Sequence, residues 1–323
     1  MKEVQTLYIV VPCYNEEEVL HETSKRLKKL LTNLINNKKI SRKSKIMLID
    51  DGSSDKTWKY IEDISKKEKI FTGIKLSINR GHQNALLAGL LTAKKYADII
   101  ISMDADLQDD INAVNEMIEK YYDGIEIVYG VRNKRKKDTF FKRKTAEFFY
   151  KFMKIMGVDI VYNHADYRLT SKKILDELEN FGEVNLFLRG IFPLIGYKSD
   201  IIYYERGERY AGESKYPLKK MLSFAFEGIT SFSIKPIQFV LFLGILITTL
   251  SFISMISFII INLINLKTLS TGSIISIISF LSGLQIICIG LVGEYVGKTY
   301  IETKKRPRYI IERNLEEKDE KAR

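Results

Sequence analysis

The segment Ile99–Gln108, with the sequence IIISMDADLQ, joins an apolar strand to a pair of acidic residues. Residues i and i+2 of an extended segment point to the same side, so the carboxylates of Asp104 and Asp106 converge where the strand ends. Ligands of open α/β sheets bind at the carboxyl ends of the strands. Two close carboxylates repel each other unless a cation lies between them, and oxygen ligands suit Mg²⁺ or Mn²⁺. The segment therefore predicts a divalent-metal site formed by Asp104 and Asp106, with Gln108 as a further oxygen ligand.

The first half of the chain alternates short apolar runs with amphipathic stretches, which is typical of a parallel sheet with crossover helices. The predicted strands are Leu7–Val11, Lys45–Ile49, Gly73–Leu76, Ile99–Met103 and Ile125–Tyr129. A first helix is predicted from Asn15, as its N-cap, to about Ile35. The next helices are expected at Thr57–Lys69, Asn84–Lys95 and Ile111–Tyr122. We expect an α/β domain over residues 1–216.

Two long stretches near the C-terminus carry no charged residue, one between Lys235 and Lys267 and one between Lys267 and Glu294. A helix needs roughly 20 apolar residues to cross a bilayer. We therefore expect a transmembrane hairpin over residues 236–296, with spans at about 237–261 and 274–294. An amphipathic pattern at 217–235 predicts a helix in the membrane interface. Residues 297–323 would form a charged tail that frays from Ile310 onward.

The net charge of +11 admits either nucleic acid or anionic lipid as a partner. With a membrane hairpin present, lipid is the simpler explanation, since juxtamembrane Lys and Arg are each stabilised there by about 1 kcal/mol. We do not expect a nucleic-acid partner. Basic residues flank the hairpin on both sides, whereas only Lys267 lies at its turn. The positive-inside rule then predicts a plasma-membrane protein with both termini and the catalytic domain in the cytoplasm.

Two further polar clusters follow predicted strands. Asp50-Asp51-Gly52-Ser53-Ser54-Asp55 follows Lys45–Ile49, and Pro12-Cys13-Tyr14-Asn15-Glu16 follows Leu7–Val11. Three neighbouring strand ends would thus bring acids and amides to one edge of the sheet. For Ser53 and Asp55 we favour a turn with a helix cap over a functional role.

The order of these motifs is more specific than any one of them. Together they resemble the signatures of family 2 glycosyltransferases with the GT-A fold: Pro12-x-Tyr14-Asn15-Glu16, Asp50-Asp51-Gly52-Ser53, Asn79-Arg80-Gly81-His82 and Asp104-Ala105-Asp106-Leu107-Gln108. Later motifs resemble the branch that glycosylates polyprenyl phosphates: Ala165-Asp166-Tyr167-Arg168-Leu169, Leu188-Arg189-Gly190, Arg206-x-x-Arg209-x-x-Gly212-x-Ser214-Lys215-Tyr216 and Gly293-Glu294-Tyr295-Val296-Gly297-Lys298. The two apolar spans fit the same branch, which includes bacterial undecaprenyl-phosphate glucosyltransferases and dolichol-phosphate mannose synthases.

The resemblance implies a role for individual residues. Those expected to bind the nucleotide-sugar are Pro12, Tyr14, Glu16, Asp50, Asp51, Arg80, His82, Asp104 and Ala105. Asp104, Asp106 and Gln108 would hold Mg²⁺ or Mn²⁺ on its diphosphate. Asp166, Asp106 and Arg132 are the catalytic candidates, and Asp166 would act either as a base or in orienting the acceptor. Arg132, Arg206, Arg209 and Lys215 would bind either the donor diphosphate or the lipid phosphate.

The implied reaction is the inverting transfer of a sugar from a nucleotide-sugar to undecaprenyl phosphate at the cytoplasmic membrane face. Overall similarity favours glucose from UDP-glucose, with N-acetylglucosamine, galactose or mannose as alternatives. The product would be a lipid-linked sugar donor for surface polymers. A flippase and a second copy of the chain are the further partners that we expect.

Two other functions compete with this one. Processive polysaccharide synthases of the same fold resemble one another in a Gln-x-x-Arg-Trp segment, but the single tryptophan here, Trp58, is far from any such place. A membrane-tethered binding protein without turnover is the other alternative. It gives no chemical reason to keep Asp104, Asp106 and Asp166 together.

Overall fold

The structure is a computed structural model that describes residues 4–132, 156, 164–184, 187–205, 207, 229–230, 233–242, 244–247, 249, 253 and 271–317. The chain divides into two compact units. The first comprises residues 1–150, 159–217 and 306–323, and the second comprises residues 151–158 and 218–305.

The described part of the first unit contains an eight-stranded sheet. Its strands are β1 (Leu7–Cys13), β2 (Lys45–Asp50), β3 (Phe71–Leu76), β4 (Ile99–Ser102), β5 (Ile127–Arg132), β6 (His164–Ser171), β7 (Ser199–Tyr204) and β8 (Ile311–Asn314). The strand order is β7-β5-β6-β4-β1-β2-β3-β8. β6 runs antiparallel to β4 and β5, β8 runs antiparallel to β3, and the other neighbours are parallel. The predicted α/β fold with a mostly parallel sheet is confirmed.

Six helices belong to the described part of this unit. They are α1 (Leu20–Asn36), α2 (Thr57–Lys67), α3 (His82–Ala93), α4 (Val114–Tyr122), α5 (Lys172–Glu179) and α6 (Leu188–Leu194), and a 3₁₀ turn at Ile111–Ala113 precedes α4. α3 lies very close to the sheet, because a Cβ on Gly89 would come within 2.5 Å of Val10 Cγ1 and 2.8 Å of the Ile49 side chain. This close approach fixes the first residue of α3, His82, relative to β1 and β2.

The predicted start of the first helix is wrong. The helix begins at Leu20, and Asn15 lies in the preceding loop with a φ of 52°. Asn15 bonds another loop instead of capping a helix: its Oδ1 accepts from Ser54 N at 2.9 Å, and its backbone N donates to Ser53 Oγ at 3.0 Å. These bonds join the loops that follow β1 and β2, which a one-dimensional pattern of caps does not reveal.

The tail does not fray where we expected it to. Ile311–Asn314 forms β8 and pairs with β3. The following Glu316 is buried, and its Oε1 accepts from Lys45 Nζ at 2.7 Å and from Tyr8 OH at 3.0 Å. The C-terminal segment therefore completes one edge of the sheet, although its sequence is strongly charged.

The second unit contains the 34-residue helix α7 (Thr271–Lys304), which includes the predicted span 274–294. Tyr295 OH donates to Ser233 O at 2.5 Å, and Lys298 Nζ donates to Thr230 Oγ1 at 2.5 Å, so α7 contacts the segment before residue 235. Most of the predicted span 237–261 and of the predicted interfacial helix 217–235 lies outside the described residues. Within the described ranges, no helix combines the length and the apolar character needed to cross a membrane.

Replacing Glu316 tests whether the C-terminal segment stabilises the sheet. Glu316→Ala leaves the ammonium of Lys45, only 16% exposed, without its carboxylate. We expect the free energy of unfolding to fall by about 2 kcal/mol, less than for a fully buried pair. The unfolding midpoint can be followed by the fluorescence of Trp58, which packs against the core. Glu317→Ala, at the exposed neighbouring position, is the matched control, and equal midpoints for the two variants would contradict the assignment.

Candidate active site

The carboxyl edge of the sheet gathers the polar residues that the sequence singles out. β6 enters this edge from the opposite direction, because Ser102 of β4 is paired with Arg168 of β6 in an antiparallel register. Asp104 lies two residues after Ser102, just beyond β4, and Asp166 lies two residues before Arg168, near the start of β6. This register brings together two acids that are far apart in the sequence.

Asp166 is the most heavily paired of these acids. Arg189, next to the start of α6, donates to both carboxylate oxygens, from Nε to Oδ1 at 3.2 Å and from Nη2 to Oδ2 at 3.0 Å. Arg168 Nη2 donates to Oδ1 at 2.8 Å. His82 Nε2 lies 3.4 Å from Oδ2. Two guanidinium groups and one imidazole thus surround a single carboxylate that is 8% exposed.

These partners determine the ionisation of Asp166. Burial alone would raise the pKa of the carboxyl, but the charge of Arg189, the hydrogen bond with His82 and the charge of Arg168 hold the pKa well below its usual range. The carboxylate is therefore ionised, and both of its oxygens already accept hydrogen bonds. This arrangement suits a group that orients cations better than one that takes up a proton.

Arg168 is the most buried member of the cluster. Its side chain is fully buried, and its guanidinium lies over the Phe192 ring, 4.2 Å from the ring centroid. Arg189 is 33% exposed and is the more accessible of the two arginines. Gln83 of α3 contributes to its placement, since Gln83 Oε1 accepts from the backbone N of Leu188 at 2.9 Å.

His82 connects Asp166 to Asp104. Its Nε2 is 3.7 Å from Asp104 Oδ1, so the imidazole lies between the two acids and does not cap α3. Burial opposes protonation of the ring, but the hydrogen bond with Asp166 and the charges of Asp104 and Asp166 raise the pKa of His82 to about 9. A protonated His82 therefore supplies positive charge to the site at neutral pH.

Asp104 is surrounded by an excess of negative charge from neighbouring carboxylates. Burial raises its pKa, the charge of His82 lowers it, and the nearby carboxylates of Asp109, Asp166 and Asp106 raise it further, to about 6. Asp106 Oδ1 accepts from Gln108 N at 3.2 Å, within a tight turn where Leu107 has a φ of 57°. An additional cation beside Asp104 would relieve this repulsion.

The donor set fits a metal that is shared with a substrate. Among the described residues, no three His, Cys, Asp or Glu side chains form a ready-made metal site. Mg²⁺ is usually held by one or two carboxylates, with substrate phosphates and water completing its octahedron. The carboxylates of Asp104 and Asp106 satisfy that requirement, and Gln108, which is buried, remains a predicted third ligand.

The loops after β2 and β3 form a second, adjoining part of the site. Asp51 accepts from the backbone N of Arg80 at 2.8 Å and of Gly81 at 2.9 Å. Gly52 has a φ of +66°, and a Cβ there would come within 2.5 Å of the Ile78 and Asn79 backbone, so only glycine permits this approach. Asp50 Oδ2 is buried and has no hydrogen-bond partner in the described part of the chain, which suits a ligand that donates there.

The other predicted nucleotide-sugar residues occupy varied environments. Tyr14 is 43% exposed, Pro12 lies within buried β1, and the backbone N of Glu16 donates to Thr57 Oγ1 at 3.0 Å. Arg80 is exposed and binds Asp51 through its backbone, and buried Ala105 accepts from Thr23 Oγ1 at 2.8 Å through its carbonyl. Asp55 forms the turn that we expected, since its Oδ1 accepts from Thr57 N at 2.9 Å, but the N-cap of α2 is Lys56. Ser53 likewise bonds the Asn15 backbone.

Arg132 ends β5 on the other side of Asp104. Its Nη2 donates to Asp109 Oδ1 at 3.2 Å and lies 4.0 Å from Asp104 Oδ2. Its Nε donates to Tyr204 OH at 3.1 Å. The predicted phosphate-binding residues Arg206, Arg209 and Lys215 lie outside the described residues.

Four residues of the cluster escaped the prediction of site residues. They are Asp109, Arg168, Arg189 and Tyr204, although the first three lie in or beside motifs noted in the sequence. The signal that could have found them is charge balance, because the acids at this edge require buried cations and hydrogen-bond donors. Tyr204 carries no such signal in the sequence.

Asp104→Asn tests the repulsion at this position in metal-free protein. The ionised carboxylate is disfavoured in the folded state, so folding stability should fall as pH rises from about 4, the unfolded pKa, to about 6, the folded pKa. We expect Asp104→Asn to unfold at a higher temperature than the wild type at pH 8 in EDTA, and at the same temperature near pH 4.

Two additions complete this test. Mn²⁺ should stabilise the wild type and leave Asp104→Asn unchanged, because binding to the folded state raises its stability. Asp63→Asn, which changes an exposed carboxyl of α2, should differ little from the wild type at either pH. A wild type more stable than Asp104→Asn at pH 8 without metal would contradict the proposed repulsion.

The chain is similar to known proteins along most of its length. The family model described as Glycosyl transferase family 2 matches residues 8–179, which span the sheet from β1 to α5. Over 316 residues the chain is 52% identical to the uncharacterized glycosyltransferase YkoT of Bacillus subtilis, covering 98% of this chain and 94% of the relative. It is 38% identical over 310 residues to the prophage bactoprenol glucosyl transferase homolog of Escherichia coli, covering 94% and 98%.

Among solved structures, a glucosyl-3-phosphoglycerate synthase from Mycobacterium tuberculosis, bound to Mn²⁺, UDP and phosphoglyceric acid, is similar with a TM-score of 0.44 and 16% identity. The likeness covers 70% of this chain and 76% of that one, and it is too low to support an argument about ligands. The family model and the two sequence relatives together are sufficient to assign the chain to a family. The chain belongs to glycosyl transferase family 2 and is a glycosyltransferase with a GT-A-like α/β fold.

Proposed function

We propose that this glycosyltransferase moves a glucosyl group from UDP-glucose to undecaprenyl phosphate, with inversion at the anomeric carbon and with Mg²⁺ or Mn²⁺ bound. The observation that carries the proposal is the mixture of charges at the carboxyl edge. Asp104 needs a further cation, and the arginines Arg132 and Arg189 lie close to it and to Asp166. Such a site suits a metal-bound diphosphate and a second anion.

Relatives support the choice of acceptor and sugar. Proteins 36–38% identical to this chain along nearly its whole length carry the name bactoprenol glucosyl transferase or a homolog of it. Bactoprenol is a polyprenol, so a polyprenyl phosphate is the acceptor we favour. N-acetylglucosamine, galactose and mannose remain alternatives, since a change of sugar needs only small changes in the pocket.

The reaction forms one bond and breaks one bond. An oxygen of the acceptor phosphate attacks the anomeric carbon, and the bond from that carbon to the nucleoside diphosphate breaks on the opposite face. The diphosphate leaves with the bonding electron pair. A metal held by Asp104 and Asp106 would neutralise the charge that builds on it.

The acceptor chemistry reduces the need for a base. A phosphate monoester has a second pKa near ~6, so it is already largely dianionic at neutral pH. Asp166 is itself ionised and bonded to Arg168 and Arg189. In our proposal Asp166 therefore orients Arg189, and Arg189 with Arg132 reduces the repulsion between the two anionic substrates.

Membrane attachment follows from the same acceptor. We propose that the predicted hairpin at 236–296 holds the catalytic unit at the cytoplasmic face of the plasma membrane, where the lipid phosphate is available. The interfacial segment 217–235 and anionic lipids would assist. A flippase would then move the lipid-linked sugar across the membrane for use in surface polymers.

A transfer assay tests the proposal. The purified full chain is incubated with labelled UDP-glucose, Mg²⁺ and undecaprenyl phosphate, and we expect label to enter the organic phase. Asp104→Asn should lower the rate at least about 100-fold, on the scale of an electrostatic contribution to the transition state. A binding protein without turnover would bind the nucleotide-sugar and give no labelled lipid. Undiminished transfer by Asp104→Asn would contradict the metal assignment.

The pH dependence of transfer separates the two roles considered for Asp166. Since the pKa of Asp166 lies well below its usual range, the acid side of the rate profile should follow the second ionisation of the acceptor, near pH ~6. A prenyl phosphonate, whose second ionisation occurs at higher pH, should move this side of the profile upward. Asp166→Asn should lower the rate and leave the profile in place. Loss of the acid limb in Asp166→Asn would instead identify a general base.

A further inference from the structure

Tyr204 lies at the end of β7, and its hydroxyl is the junction of two hydrogen bonds. It donates to Asp109 Oδ1 at 2.5 Å and accepts from Arg132 Nε at 3.1 Å. Arg132 Nη2 also donates to Asp109 Oδ1, at 3.2 Å. The three side chains therefore form a closed triangle in which Arg132 is held through two of its nitrogens.

The sheet itself sets up this triangle. β5 and β7 are parallel neighbours, and Arg132 and Tyr204 are register partners at their carboxyl ends. Asp109 comes from the loop after β4 that also carries Asp104 and Asp106. The same loop is bonded to the chain beyond β7, because Gly207 N donates to Gln108 O at 2.8 Å. Three separate elements thus determine where the Arg132 guanidinium lies.

Two members of the triangle are buried. Tyr204 is 3% exposed and Asp109 is 4% exposed. The Tyr204 ring meets the Tyr167 ring edge to face at a centroid distance of 5.3 Å, and Tyr167 OH donates to Asp110 O at 3.0 Å. Burial and the carboxylate of Asp109 raise the pKa of Tyr204, so the phenol keeps the proton that it donates to Asp109.

The buried charge of Asp109 depends on the hydrogen bonds that Tyr204 and Arg132 donate to it. Its Oδ2 is buried and accepts no hydrogen bond from any residue within the described ranges, so the bonds at Oδ1 are the ones that stabilise its charge. Without Tyr204 OH, Arg132 would be the remaining partner at Oδ1. The guanidinium would then be drawn toward Asp109 and away from Asp104, 4.0 Å from its Nη2 on the other side.

We propose that Tyr204 and Asp109 are positioning residues that hold the Arg132 guanidinium beside Asp104, in the place where it contacts the diphosphate of the donor. This inference rests on the proposed function, in which Arg132 and Arg189 reduce the repulsion between the two anionic substrates, and it assigns Arg132 to the diphosphate that leaves. Tyr204 does not touch the substrate. It acts by removing the freedom of Arg132 to rotate, so that the cation needs little reorganisation when charge develops on the leaving group.

A double-mutant cycle on the full chain tests the proposal. Its members are the wild type, Tyr204→Phe, Arg132→Gln and the double variant. Tyr203→Phe is the matched control, since Tyr203 is the neighbouring tyrosine on β7 and is 64% exposed. Each protein is measured for transfer from UDP-glucose, for binding of UDP with Mn²⁺ by calorimetry, and for its unfolding midpoint.

We expect Tyr204→Phe to lower kcat about 10- to 100-fold, the range of one hydrogen bond to a charged group, with a smaller change in the KM for UDP-glucose. The double variant should be no slower than Arg132→Gln, because the effect of Tyr204 passes through Arg132. Tyr203→Phe should match the wild type. Losses that multiply in the double variant, or an equal loss in Tyr203→Phe, would overturn the proposal.

Two provisions distinguish failure of this proposal from failure of the proposed function and from loss of folding. If the wild type transfers no sugar, the proposed function fails, while the UDP–Mn²⁺ affinities still complete the cycle and should show the same non-additive pattern. If Tyr204→Phe unfolds, Asp109→Asn replaces it, since the amide keeps the volume of the side chain and removes the charge that attracts Arg132. Additive UDP affinities in that second cycle would also overturn the proposal.

Discussion

The pairing of Asp166 with Arg168, Arg189 and His82 is the interaction on which the site depends. A carboxylate that is 8% exposed would be costly without these partners, and the arginines would repel each other without the carboxylate. The fold supplies each partner from a different element: β6 for Arg168, the start of α6 for Arg189 and the start of α3 for His82. Folding therefore assembles the charges before any substrate binds.

The same principle applies on the other side of Asp104, where Asp109 and Tyr204 hold Arg132. Asp104 lies between these two groups. The negative charge of the carboxylates around it is not fully offset by nearby positive charge. The proposed reaction joins two phosphate-bearing substrates and would need this combination, because a metal must be attracted to one point while guanidinium groups face the anions. Preorganised charges of this kind do not have to rearrange during the reaction.

The sequence predicted the parts of the fold that depend on local patterns. Strands β1 to β4 and helices α2 to α4 lie within a few residues of their expected positions, because apolar periodicity reflects burial directly. The start of α1 was misplaced, since Asn15 bonds Ser54 across the site instead of capping a helix. The edge strand β8 was missed, because its stability comes from pairing with β3 and from the buried Glu316 contacts, not from its own composition.

The site residues were likewise predicted where a local motif marks them and missed where only the tertiary structure places them. Asp104, Asp106 and Asp166 were identified from motifs, whereas the place of Tyr204 beside Arg132 depends on the register of β5 with β7, which no local pattern contains. The most direct test of the account is a structure with UDP and Mn²⁺, in which anomalous scattering locates the metal. We predict a peak between the carboxylates of Asp104 and Asp106, with the diphosphate in contact with Arg132. A metal peak away from both aspartates, or a diphosphate distant from this edge of the sheet, would contradict it.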